Sequence, residues 1–188
     1  PDSFAAVIAA EDGDYAWAEG GEREPCMLCY TSGTTGNPKG VLYEHRSTVL
    51  HAMMVVAPSV LAMSSSSVML PVVPMFHAAA WGTPFACAMT GAKMVFSAVN
   101  DPVVLCGLMN RERVTISSGV PTVWLALFAH IDATGEAPQY LKLATVGGSA
   151  APRAMIARLM AMGAEVKHLW GMTETSPVVT VLTSDQHS

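Results

Sequence analysis

Residues 30–41 read Tyr-Thr-Ser-Gly-Thr-Thr-Gly-Asn-Pro-Lys-Gly-Val. Gly33, Gly36 and Gly40 can adopt backbone angles closed to other residues and so turn amide N–H groups into one concavity. Thr31, Ser32, Thr34 and Thr35 add hydroxyl donors, and Lys39 adds a full positive charge on a flexible stem. Together these groups suit a polyphosphate. The composition also fits a flexible linker. Against the linker, the stretch leaves an apolar run, residues 26–30, that reads as a buried strand, and Pro38 stiffens the turn before the lysine. A Walker A loop is excluded, because it needs glycine immediately before the lysine and Pro38 stands there.

Three further segments carry chemistry. Residues 170–174, Trp-Gly-Met-Thr-Glu, combine an aromatic plate, a glycine, a hydroxyl and a carboxylate. Glu174 suits Mg²⁺, which prefers carboxylate and phosphate oxygens together; Thr173 suits a phosphate, and the flat face of Trp170 suits a purine. The alternative is an ordinary turn with a buried tryptophan. Residues 147–152, Gly-Gly-Ser-Ala-Ala-Pro, form either a close-approach loop or simply a tight turn. Residues 74–82, Pro-Met-Phe-His-Ala-Ala-Ala-Trp-Gly, place His77 among apolar neighbours, as a donor to a carboxylate substrate or as an ordinary core histidine.

Residues 30–41 and 170–174 resemble the paired signatures of the adenylate-forming superfamily, which includes acyl-CoA synthetases, peptide-synthetase adenylation domains and beetle luciferases. Trp170 stands where tyrosine is commoner. The resemblance implies ATP, Mg²⁺ and coenzyme A as cofactors or co-substrates. It assigns the nucleotide to Thr31, Ser32, Gly33, Thr34, Thr35, Gly36, Lys39, Gly148, Ser149, Ala150, His168, Trp170, Gly171, Met172 and Thr173, and the Mg²⁺ to Glu174. It makes Lys39, His77, Thr173 and Glu174 the catalytic set.

The 74–82 segment looks like the substrate loop of medium- and long-chain fatty acyl-CoA synthetases, where asparagine often replaces Ala79. That likeness assigns the acid to His77, Trp81, Val120, Thr122 and Gly147, with Val73, Met75 and Val123 as further apolar candidates. The implied whole is an ATP-dependent fatty acid–CoA ligase. A non-catalytic nucleotide-binding relic and an adenylation domain for another acid are the alternatives. Relatives carry a ribose-binding aspartate and a C-terminal lysine domain that are not found after Thr175, so the chain reads as a fragment of the large N-terminal domain, inactive alone.

Composition agrees with a globular domain. The 188 residues are 51% hydrophobic and 13% charged, with a net charge of −5 and no basic cluster. Nucleic acid and anionic membranes need Lys/Arg surfaces, and neither is expected as a partner. The apolar run 48–63 is shorter than the roughly 20 residues of a membrane span and reads as a buried helix capped by Ser47. Cys26 and Cys29, three apart on a strand, point to opposite faces and cannot share a metal. Reduced thiols and a cytoplasmic location are expected.

The elements that position these segments alternate. Residues 1–24 read as a surface connection, and 25–188 as a partial AMP-binding domain with its phosphate loop at 30–41 and a substrate and adenine subdomain at 42–182. Strands are predicted at 68–73, 93–97, 114–117, 143–146, 165–169 and 178–182. Helices are predicted at 78–90, from Pro102 to about Arg113, from Pro121 to Gly135, and from Pro152 to about Gly163. The pattern calls for an α/β fold, a mainly parallel sheet with helices packed on it. In such sheets the loops leaving the strands share one rim, so residues 74–82, 118–122, 147–152 and 170–176 are expected to converge there.

Overall fold

The computed structural model describes residues 3–31 and 36–183. Ser32, Gly33, Thr34 and Thr35 lie outside the described residues. A short helix, α1 (Phe4–Ala9), precedes a hairpin of β1 (Pro25–Thr31) and β2 (Lys39–Glu44), paired antiparallel with Thr31 opposite Lys39. Cys29 is buried on this hairpin, whereas Leu28, Tyr30 and Leu42 lie more than half exposed on its outer face. The expectation of a buried strand at 26–30 is therefore corrected. A two-stranded ribbon covers one face only, so its apolar residues alternate in and out.

Helix α2 (His45–Val56) follows β2 without a break. Ser47 is not its cap: Glu44 precedes the first turn, and the Ser47 hydroxyl donates back to the Glu44 carbonyl at 3.0 Å. The helix stops at Ala57, ahead of Pro58, rather than running to 63.

From there strand and helix alternate: β3 (Val68–Pro71), α3 (Ala78–Trp81), α4 (Thr83–Thr90), β4 (Lys93–Met94), α5 (Pro102–Arg111), β5 (Ile116–Gly119), α6 (Pro121–Thr134), β6 (Leu143–Val146), α7 (Arg153–Ala161), β7 (Glu165–Gly171) and β8 (Val178–Thr183). The sheet order is β4-β3-β5-β6-β7-β8, parallel throughout except for the antiparallel β8. Local chemistry explains the helix ends. The Asp101 carboxylate accepts from the amides of Val103 and Val104 to start α5, and Gly135, at φ +77°, ends α6.

Alternate residues of the strands serve two cores. Leu70, Ala144, Val146 and Val166 pack against α5, α6 and α7, with Trp124 fully buried and its Nε1 donating to the Thr145 carbonyl at 3.2 Å. Met69, Ile116 and Leu143 pack against α2 and α4. A third cluster of Val73, Ala80, Trp81 and Leu169 closes the carboxyl-end rim. Among the described residues no helix is long and apolar enough to cross a membrane.

One element departs from the predicted helix at 78–90. Ala78, Ala79, Ala80 and Trp81 have φ of 47°, 49°, 50° and 57°, so α3 is a single left-handed turn, and only α4 is right-handed. L-residues in this conformation cost roughly 1–2 kcal/mol each. The turn is held by the Gly82 amide donating to the Ala79 carbonyl (2.9 Å), the Thr83 hydroxyl donating to the Ala80 carbonyl (2.9 Å), and burial of all four side chains.

Candidate active site

A cavity of about 470 Å³ opens at the carboxyl-end rim. Three of the four expected loops line it, through Phe76, His77, Ala78 and Trp81, through Gly147 and Gly148, and through residues 170–174. Tyr30 and Thr31 at the end of β1 add a wall from the hairpin. The fourth loop lies against the Gly147–Gly148 loop: Val120 packs in the rim cluster, and a Cβ on Gly148 would meet its Cγ1 at 3.0 Å.

Two glycines are required by close approach. A Cβ on Gly147 would lie 2.9 Å from Trp81 Cη2 and 3.1 Å from the Leu169 carbonyl oxygen, so only glycine lets the indole lie against this strand end. A Cβ on Gly171 would lie 1.8 Å from the Pro177 carbonyl oxygen, where β8 folds back onto β7.

The carboxylate stands on a 3₁₀ turn, Thr173–Thr175, in which the Thr175 hydroxyl accepts from the Met172 amide at 2.9 Å. Among the described residues no cationic side chain forms a salt bridge with Glu174. The buried Tyr43 phenol donates to the Thr173 carbonyl. Burial first, then the neighbouring Cys29 and Glu174, push that phenol up to about 12. Thr31 Oγ1 is buried at the hairpin end without a hydrogen-bond partner among the described residues.

Other expected residues lie around rather than on the cavity wall. Lys39 is exposed at the start of β2, opposite Thr31; strand alternation puts it on the face of β2 that carries Val41 and Tyr43. Gly36, at φ +98°, sits just before that strand. Ser149 and Ala150 are exposed on the loop after β6, Thr122 is exposed on the first turn of α6, and His168 is half-buried on β7 between Val146 and Leu182. Tyr43 and His51 escaped the sequence reading, because no motif marks them and only the fold brings them to the Glu174 turn. Cys26 is exposed and Cys29 buried, and all four cysteines are free.

Residues 4–188 match the profile of the AMP-binding enzyme family. The chain belongs to that family. Within it, the medium-chain-fatty-acid–CoA ligase of Ectopseudomonas oleovorans is 49% identical over 183 residues, 96% of this chain and 34% of that protein. The chain thus spans about a third of the length of this relative.

Solved structures superpose closely on this fold. The inhibitor-bound N-terminal domain of FACL13 from Mycobacterium tuberculosis matches with a TM-score of 0.83 at 30% identity, covering 98% of this chain and 46% of that one. O-succinylbenzoate coenzyme A synthetase (MenE) from Bacillus subtilis, in complex with ATP and magnesium ion, matches with a TM-score of 0.80 at 25% identity, covering 95% and 37%.

Proposed function

We propose that this chain is part of an ATP-dependent fatty acid–CoA ligase and that the rim cavity is where the acid meets ATP. The observation that carries the reading is the mixed lining of one cavity. Thr173 and Glu174 supply polar groups to it, and Phe76, Ala78, Trp81 and Leu169 supply apolar surface. A polyphosphate suits the former and the alkyl chain of an acid the latter.

In the first step an oxygen of the acid's carboxylate attacks the α-phosphorus of ATP. The bond from that phosphorus to the bridging β-oxygen breaks, giving acyl-adenylate and pyrophosphate. The coenzyme A thiol then attacks the acyl carbon and AMP leaves. Such displacements need positioning and charge neutralisation rather than a protein nucleophile. Lys39 offsets phosphate charge from β2, while Thr31 and Thr173 orient the phosphates by hydrogen bonds. His77, on the cavity wall, donates to the acid.

A divalent cation fits Glu174, a carboxylate on the cavity wall without a protein cation paired to it among the described residues. When bound there, Mg²⁺ supplies positive charge toward the phosphates.

The test is thioester formation by the gene product that carries this chain, with ATP, Mg²⁺, coenzyme A and a series of straight-chain acids. An acyl-CoA product, with AMP and pyrophosphate released in equal amounts, is expected for fatty acids. ATP binding with no acid-dependent pyrophosphate release from any acid contradicts the reading.

A further inference from the structure

The loop that carries Glu174 is gripped at both ends by one continuous stretch of chain, through residues outside every motif described above. At its start the Tyr43 phenol donates to the Thr173 carbonyl. At its end the Val178 amide donates to His51 Nε2 at 3.4 Å. Both side chains are buried, at 4% and 7% exposure. Among the described residues, the remaining hydrogen bonds of residues 172–177 run within the loop itself.

Tyr43 and His51 belong to one unit, because β2 ends at Glu44 and α2 begins at His45. The same strand begins at Lys39, whose side chain leaves the face that Tyr43 occupies. At roughly 3.3 Å per residue, Lys39 and Tyr43 lie about 13 Å apart along a strand whose antiparallel partner resists bending. The backbone of Lys39 and the carbonyl at the start of the Glu174 turn are therefore joined through a short strand and the Tyr43 hydrogen bond.

We propose that Tyr43 and His51 are positioning residues, which hold the Glu174 turn at a set distance from Lys39 so that carboxylate and ammonium meet one metal–nucleotide. This rests on the reading of the cavity as the ATP site. Tyr43→Phe keeps the ring in place and removes only the grip. A hydrogen bond of this kind is worth a factor of about 2 to 10.

The experiment measures acid-dependent ATP–pyrophosphate exchange by the gene product across a Mg²⁺ titration. In Tyr43→Phe the half-maximal Mg²⁺ concentration rises by about 2- to 10-fold, while kcat at saturating Mg²⁺ and the KM for the acid stay close to wild type. His51→Leu shifts the midpoint in the same direction, and His51→Gln, which keeps an acceptor at similar reach, shifts it less. An unchanged Mg²⁺ midpoint with lowered kcat overturns the positioning role.

A second arm needs no activity. Amide hydrogen exchange on the gene product that carries this chain should quicken at residues 173–176 in Tyr43→Phe and stay unchanged at residues 143–146. Unaltered protection at 173–176 overturns the grip. Absence of exchange activity in the wild type would instead sink the ATP reading, with the amide measurement still deciding the grip.

Discussion

The imidazole of His51 fills the space that a side chain at Gly82 would occupy: a Cβ there would lie 2.5 Å from His51 Nδ1 and 2.6 Å from Cε1. Gly82 also has φ +75°, directly after four left-handed residues. Helix α2, the strained turn and the start of β8 thus lock around one buried ring. Gly82→Ala combines a left-handed alanine with overpacking against that ring, and the expected loss is about 2–3 kcal/mol. Urea unfolding measures it; a loss under about 0.5 kcal/mol would contradict this packing.

Burial lowers the pKa of His51 from 6.5 to about 4. The folded state holds a neutral ring, whereas the unfolded chain takes up a proton below about pH 6.5. Stability is therefore fully present above that pH and lost progressively as pH falls toward about 4. The gap corresponds to roughly 3 kcal/mol at most. Tyr43, the other titratable side chain lining the same crevice, is pushed up to about 12 and stays neutral throughout. Unfolding free energies measured from pH 7 to pH 4 should fall more steeply in the wild type than in His51→Gln. Parallel profiles would contradict the assignment.

The left-handed turn makes an unusual prediction about glycine. Ala79 and Ala86 are both buried, but Ala79 has φ 49° and Ala86 sits within right-handed α4. In Ala86→Gly, the lost methyl burial and the helix penalty add to about 2 kcal/mol. Ala79→Gly loses a similar methyl but relieves roughly 1–2 kcal/mol of strain, so the net change is within about 1 kcal/mol. Equal costs in the two variants, measured by urea unfolding, would show that α3 is not left-handed.

The parts legible in the sequence are those whose cause is local. Asp101 before Pro102, the apolar face around Trp124 on α6 and Gly135 at its end each carry their own signal, and together they imply a parallel sheet with a shared rim. Of the two motifs at 30–41 and 170–174, Tyr30 and Thr31 from the first and Thr173 and Glu174 from the second line the rim cavity. Three consecutive alanines, by contrast, favour an ordinary helix, and the left-handed turn at 78–81 arises from tertiary packing on His51 and Gly147. Lys39–Glu44 places a glycine and two charged ends around three consecutive apolar residues, too short a pattern to mark a strand by itself. The Tyr43–Thr173 contact joins residues 130 apart, and no pattern within either segment points to the other.

The central claim is that Lys39 and Glu174 act on one nucleotide, and acid-dependent ATP–pyrophosphate exchange by the gene product carrying this chain tests it most directly. Removing one preorganised charge contact typically costs on the order of 10² to 10³ in rate. Lys39→Ala and Glu174→Gln should each lose that much, and the double variant should lose less than the product of the two, as expected for groups sharing one ligand. Full exchange in either single variant would contradict the account.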